Sequence, residues 1–345
     1  IWSFEIEPYI RLDSADEARS TSDLRRAFLL GEFDRFEFGI GIQQLFWGVT
    51  ESTHLVDIVA QTDNLAALDQ EEKLGQPLIV FSVPFSRGLF DLYLLPYFRE
   101  QTFPEAGSRL RFETLIDGDN AQYEHPDEEN HLDVAVRLNH SFAHIELGLS
   151  HFQGTARQPN FQFIPGPSGP VIQPYYAQIR QTGLELQGVW ESWLLKLEAI
   201  YRSGQPDLTF SEQDYWASTV GFEYSFYSLF ETVQDLGVIV EYIYDDRGDL
   251  ALTSSEQDWV VGIRWALNDL RSSEVLFLII KDLDTAARTL VVEASSEIID
   301  DWELVIESTI FSNLPPFNPL EPKADALAFD LRDDDYLELS LRYYF

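Results

Sequence analysis

An all-β chain is what the sequence predicts: a transmembrane antiparallel up-and-down β-barrel of about sixteen strands. Three observations carry that expectation. Apolar and polar residues alternate from one end of the chain to the other, the connections between alternating segments are long and short in turn, and no uninterrupted apolar run reaches the roughly 18 residues that read as a spanning helix.

The alternating segments are 1–12, 24–33, 36–47, 77–86, 89–99, 130–139, 143–153, 174–189, 193–203, 214–226, 235–245, 257–268, 273–282, 289–298, 303–312 and 336–345. In the first, Trp2, Phe4 and Ile6 oppose Ser3, Glu5 and Glu7. In the third, Phe36, Phe38, Ile40 and Ile42 oppose Glu37, Gly39, Gly41 and Gln43. Trp259, Val261, Ile263 and Trp265 oppose Asp258, Val260, Gly262 and Arg264, and Leu304, Ile306 and Ile310 oppose Glu303, Glu307 and Thr309. Each segment has the roughly nine to eleven residues, or a few more, that a tilted strand needs to cross a bilayer. The segments 273–282 and 174–189 alternate poorly, which leaves fourteen or eighteen strands open; the phase slip between Arg180 and Leu184 reads as a bulge.

The connections order the strands. Short turns are expected at Asp34-Arg35, Arg87-Gly88, His140-Ser141-Phe142, Glu191-Ser192, 227–234, Asp269-Leu270-Arg271 and Asp300-Asp301. Longer loops at 13–23, 48–76, 100–129, 154–173, 204–213, 246–256 and 313–335 alternate with them, the excursion 283–288 being shorter. Loop 154–173, with Pro159, Pro165, Gly166, Pro167, Gly169 and Pro170, reads as a stiff irregular cover without helix or strand. Loop 48–76 holds apolar Leu55, Ile58, Val59, Leu65 and Leu68 at a patchy helical spacing, within a single domain spanning 1–345.

Composition excludes several functions. No cysteine is present, so disulfides, zinc–thiolate sites, iron–sulfur clusters and cysteine nucleophiles drop out. The net charge of −36 disfavours nucleic acid and draws cations. Methionine is absent even at position 1, which leads to the expectation of a chain from which a signal peptide has been removed, or of a truncated one. Aromatics gather near strand ends, at Trp2, Phe46, Trp47, Trp190, Trp193, Tyr215, Trp216, Trp259, Trp302, Tyr343, Tyr344 and Phe345, as membrane-interface girdles would require.

The final strand carries a resemblance. Leu337, Leu339, Leu341, Tyr343 and Phe345 share one side and Glu338, Ser340, Arg342 and Tyr344 the other, and the chain ends on the last aromatic. Together with the loop asymmetry, this resembles the bacterial outer-membrane β-barrels of porin type. The resemblance implies an outer-membrane location with both termini periplasmic, contact with the lipid bilayer and lipopolysaccharide, and Tyr343 and Phe345 as an address for the barrel-assembly machinery. It also implies a homotrimer or a sleeved partner protein. The Phe46-Trp47-Gly48 strand end before a long loop is similar to polysaccharide-export barrels, but those for acidic polymers line their pores with Arg and Lys, and this chain does not.

If apolar residues face lipid, their neighbours line a lumen wide enough to hold water. The inward set is Glu5, Glu7, Glu37, Asp91, Asp133, Arg137, Glu146, Glu185, Lys196, Glu198, Glu223, Glu241, Arg264, Glu293, Glu297, Glu303, Glu307, Glu338 and Arg342, in which acids far outnumber bases. Such a lining favours cations, although many of these acids could instead pair with the lumenal bases and brace the wall. Glu51, His54 and Asp57 make loop 48–76 the candidate constriction, its alternative being an external loop on the rim. No cofactor is expected. Asp117-Gly118-Asp119-Asn120 and Asp333-Asp334-Asp335 offer hard oxygens for a loop calcium, but neither completes an EF-hand.

The leading function is passive diffusion of small hydrophilic solutes, cationic or neutral. A structural sleeve or anchor for a secretion, surface-layer or electron-transfer partner is the second. A barrel hydrolase is the third: Asn139-His140-Ser141 are sequential on a turn and diverge, and His144 and His151 face opposite sides, which disfavours a three-histidine metal site with His140.

Overall fold

The computed structural model describes residues 1–66, 71–166, 169–318 and 320–345, so Leu68 and Pro167 lie outside the described residues. No helix among the described residues is long and apolar enough to cross a membrane.

The strands in chain order are β1 Trp2–Arg11, β2 Thr21–Glu32, β3 Glu37–Gln43, β4 Gln76–Phe85, β5 Gly88–Leu95, β6 Gln122–Tyr123, β7 Asp133–Phe142, β8 Ile145–Thr155, β9 Asn160–Gly166 and β10 Gly169–Tyr176. They continue as β11 Gln178–Trp190, β12 Trp193–Ser203, β13 Tyr215–Phe226, β14 Asp235–Asp245, β15 Gln257–Ala266, β16 Glu274–Asp282, β17 Arg288–Ile299, β18 Trp302–Ser312 and β19 Tyr336–Tyr343. All but β6, β9 and β10 form a 16-stranded sheet in which each strand neighbours the next in chain order. This is the up-and-down topology predicted, strand for strand. The tight connections 86–87, 143–144, 191–192 and 300–301 alternate with long ones at 44–75, 96–132, 156–177 and 313–335.

The chain divides into two compact units. The first comprises Ile1–Gly48, His54–Glu185 and Glu198–Trp216, and the second Val49–Thr53, Leu186–Leu197 and Ala217–Phe345. In the second unit the faces separate cleanly. On β15, Trp259, Val261, Ile263 and Trp265 are 43%, 50%, 42% and 42% exposed, while Asp258 and Val260 are 2% and 0%. Exposed aromatics and aliphatics line the same side of β19 at Leu337, Leu339, Leu341 and Tyr343. An apolar sheet face of this extent has no stable place against water. Beneath it, Ile239, Ile243, Val260, Leu276 and Leu278 form an apolar cluster on the inner side. That cluster explains why 273–282 alternates poorly: β16 is apolar on both faces.

In the first unit, burial alternates along β11 from Ile179 to Glu185, with Ile179, Gln181, Gly183 and Glu185 buried. The apparent slip between Arg180 and Leu184 arises because Ile179 is an apolar residue on the inner face. A bulge sits elsewhere. The register of β1 and β2 shifts between Glu7, opposite Arg26, and Pro8, opposite Leu24, leaving Arg25 without a cross-strand partner. Gly39 is required on β3, since a Cβ there would stand 2.2 Å from Cζ of Phe28, across the inner face.

Several sequence expectations need correction. Segment 154–173 is not irregular: β9 and β10 form an antiparallel hairpin, and β6 joins β10 in parallel. Pro165 faces Pro170 in that hairpin, so the missing N–H groups fall on one pair and the ladder survives. Residues 174–176 belong to β10 and not to the barrel strand. The turn expected at His140-Ser141-Phe142 lies beyond these residues, at 143–144, with Ala143 at φ 49°. The strand expected over 36–47 stops at Gln43. Trp47 and Tyr215 are each 2% exposed, so neither belongs to an interfacial girdle.

The outward face makes a direct prediction. Val261→Arg should destabilise the protein in lipid vesicles by about 2–4 kcal/mol if Val261 lies near the bilayer midplane, while a charge close to a strand end should cost roughly 0–1 kcal/mol. Denaturant unfolding in vesicles measures both, and equal small effects would mean that this face does not meet lipid.

Candidate functional site

The described residues of the 44–75 connection make their polar contacts with side chains on the polar face of the sheet and with neighbouring loops. Its residues fall in both compact units, and each half is anchored by inward side chains of its own unit.

In the second unit the anchor is Glu51. Its carboxylate meets Arg264 of β15 at 2.6 Å and Lys196 of β12 at 3.2 Å. Arg264 also reaches Glu274 at 2.9 Å and Glu223 at 3.7 Å. Glu241 of β14 holds the backbone: the N–H groups of Glu51 and Ser52 donate to its two oxygens at 2.8 and 2.9 Å, and Ser52 Oγ adds a third bond at 2.6 Å. Arg264 and Lys196 outweigh burial and keep the Glu51 carboxyl below its ordinary value.

In the first unit the loop continues through His54 and Asp57. The N–H of Val56 donates to Glu198 at 3.3 Å, Gln181 donates to the carbonyl of Leu55 at 3.3 Å, and Arg157 donates to the carbonyl of Val59 at 2.9 Å. Asp57 pairs with Lys73 at 2.8 Å and accepts from the N–H of Trp47 at 3.2 Å. Arg25, freed by its bulge, reaches Asp63 at 2.5 Å and Asp23 at 3.2 Å. One segment thus touches inward side chains of β2 at one end and of β11 and β12 at the other. Gly48, at φ +154°, permits the approach: a Cβ would stand 2.7 Å from His54 Nδ1 and 3.1 Å from Glu198 Oε1.

No helix forms over 52–66. Side chains of β11 and β12 and of Arg157 satisfy backbone groups of the loop, and Val56, Ile58 and Val59 are buried as an irregular cluster of apolar side chains. Of the three candidate constriction residues, Glu51 and Asp57 are ion-paired, and His54 lies between Glu71 at 3.7 Å and Glu198 at 4.0 Å. Burial by itself would lower the His54 pKa; Glu71, Glu198 and Asp57 overcome it and raise the value above 6.5.

The predicted inward set divides by environment. Arg137 pairs with Glu185 at 2.6 Å and lies 4.8 Å over the Trp47 ring. Asp133 pairs with Arg157 at 2.8 Å and meets His131 at 2.8 Å. Asp91 accepts from Ser82 and is buried. Glu5 pairs with Arg26 at 2.8 Å, and Glu303 lies 3.7 Å from Arg342. Glu7, Glu146, Glu297 and Glu338 are exposed, and Glu37 is half-buried. Glu293 stands opposite Glu307, and Glu307 opposite Glu338, a row of carboxylates across three strands; Glu297 faces Glu303.

Sequence reasoning missed the cations that hold the loop. Arg25 is displaced by a bulge, while Lys73, Arg99 and Arg157 lie outside the strands where no periodicity applies. Of the Asp-rich loops, Asp117 accepts from Asn120 at 2.9 Å and Asp335 from the N–H of Phe311 at 2.9 Å, so both contribute to local turn and strand-end bonding. His140 stacks on Phe85 at 5.6 Å, and His151 bonds Thr182 at 2.9 Å.

Sixteen up-and-down strands, an exposed apolar face and a charged face that holds the chain's own long loop define the fold class: an all-β, antiparallel up-and-down architecture of the transmembrane β-barrel kind. No protein-family model matches the chain, and no curated protein matches it. Among solved structures, the chain is similar to a triple mutant of the Rh. blastica porin, at 11% identity over 100% of both chains and a TM-score of 0.47. It is similar to a double mutant of the same porin at 12% identity, over 100% of both chains, with a TM-score of 0.46. A structure described as "Asymmetric conductivity of engineered proteins" is 12% identical, over 100% of this chain and 98% of the other, with a TM-score of 0.46.

Two predictions follow from the anchors. Arg264→Met leaves Glu51 and Glu274 without their shared cation and should cost roughly 1–3 kcal/mol; adding Glu51→Gln should recover part of it in a double-mutant cycle of denaturant unfolding. A raised His54 pKa contributes stability that is fully present below about 6.5 and lost as pH rises through the folded value. Proteolysis within the 44–75 connection should therefore quicken as pH rises through that range, and His54→Gln should abolish the dependence.

Proposed function

We propose that the chain is an outer-membrane channel that passes small hydrophilic solutes by diffusion and prefers cations or neutral molecules over anions. The observation that carries this reading is the inward 44–75 connection, tied through Glu51 to Arg264 and Lys196 on the polar face, where it would narrow an aqueous path without removing it. The acidic excess supports the preference. In the ladder Glu293 stands opposite Glu307 and Glu307 opposite Glu338, which sets three carboxylates side by side. Their combined field attracts cations and repels anions.

The same reading places both termini on the periplasmic side, because an even number of strands returns the chain to the face where it began. It assigns Tyr343 and Phe345 to recognition by the barrel-assembly machinery, the exposed apolar belt to lipid and lipopolysaccharide, and a homotrimer as the assembly. Tyr343 packs on Trp302 at 4.9 Å, an aromatic pair suited to a membrane interface.

Planar-bilayer recording tests the proposal. Purified protein should open stable conductances whose reversal potential in a salt gradient indicates cation preference. Glu293→Gln, Glu307→Gln and Glu338→Gln together should reduce that preference at low salt and have much less effect near 1 M, where screening acts over about 3 Å. Silence in the bilayer until a partner protein is added would favour the sleeve or anchor instead, and an anion preference would overturn the acidic-lumen reading.

A further inference from the structure

Four carboxylates converge at one end of the second unit, apart from the loop anchors. Asp258 near the start of β15 stands opposite Asp282 at the end of β16. Glu256 comes just before β15, and Asp325 arrives on the 3-10 turn Ala324–Ala326 of the 313–335 connection. Glu256, Asp258, Asp282 and Asp325 are only 2%, 2%, 4% and 6% exposed. Carboxylate oxygens of Glu256, Asp258 and Asp282 all lie within 4.8 Å of one another.

The nearby bases are engaged elsewhere. Lys281 Nζ donates to the carbonyls of Asp282 and Thr285, Lys323 pairs with Asp249 at 2.9 Å, and Arg247 pairs with Asp245 at 2.7 Å. Thr285 serves one oxygen of Asp282 through its N–H and hydroxyl. The other oxygen of Asp282, one each of Asp258 and Asp325, and both of Glu256 have no hydrogen-bond partner. Buried, unpaired carboxylates are strongly unfavourable unless they neutralise or hold a cation.

The donor set is all oxygen, with no nitrogen or sulfur, which selects a hard cation. The oxygens come from three separate chain segments and include both of Glu256, an arrangement suited to the irregular coordination of calcium and poorly suited to the strict octahedron of magnesium. We propose that Glu256, Asp258, Asp282 and Asp325 bind one calcium ion that ties the 313–335 connection to the ends of β15 and β16. Ala324 and Ala326, buried on either side of Asp325, and the Lys323–Asp249 pair bring the connection to the same place.

The test uses the full chain in detergent, stripped with a chelator and titrated calorimetrically with calcium at moderate salt with magnesium in excess, so that loose binding to the acidic surface is suppressed. One calcium per chain and a rise in thermal midpoint are expected. Asp325→Asn should weaken binding by about tenfold or more, because affinity follows the ligand charge count. Glu256→Gln should raise the midpoint of the stripped protein, by replacing a carboxyl crowded among buried carboxylates with a neutral amide, while losing the response to calcium; that gain also shows that the variant is folded. Stripped wild-type protein without saturable calcium binding, or variants that keep the wild-type response, would overturn the proposal and leave the cluster holding a proton shared between carboxyl groups.

Discussion

Everything in this molecule depends on one backbone requirement: each strand's N–H and C=O groups must be satisfied by its neighbours, because the face beside them is apolar. A sheet whose outer side carries Trp259, Val261, Ile263 and Trp265 on one strand and Leu337, Leu339 and Leu341 on another cannot rely on water there. The two-residue period follows directly, and it makes register costly to change. Slipping a strand by one residue would put its carboxylates outside and its aromatics inside.

The inner face answers a different problem. It carries many acids, and the fold disposes of them in three ways. Some pair with bases, as Glu185 does with Arg137 and Asp133 with Arg157. Some cap the backbone of the inward loop, as Glu241 does for Glu51 and Ser52. Others stand beside like charges, in the row Glu293–Glu307–Glu338 and in the cluster around Glu256. Truncating one partner of a buried pair leaves an uncompensated charge, so the first two groups hold the loop in one arrangement. The third group sets like charges close together, and their mutual repulsion is the cost the fold carries there.

The expectations that failed share a cause. Arg25 leaves the alternation because a bulge removes it from the ladder, and the bulge turns it toward Asp63 on a loop 38 residues away. Trp47 has the residue type of an interfacial anchor, yet Arg137 and Tyr93 cover it inside the first unit. The apolar residues of 55–59 suggest a helix, but Glu198, Gln181 and Arg157, all distant in sequence, satisfy the backbone instead. In each case the deciding contact comes from a distant part of the chain.

Alternation and connection length by themselves pointed to about sixteen strands joined in chain order, because those properties repeat every two residues and need no distant partner. The destination of the long 44–75 connection, the pairing of Glu51 with Arg264 and Lys196, and the meeting of Glu256, Asp258, Asp282 and Asp325 were decided only by tertiary structure. Asp325 is 69 residues from Glu256 in a different loop, and no local period relates them. Burial brings them together, and burial is a property of the folded chain.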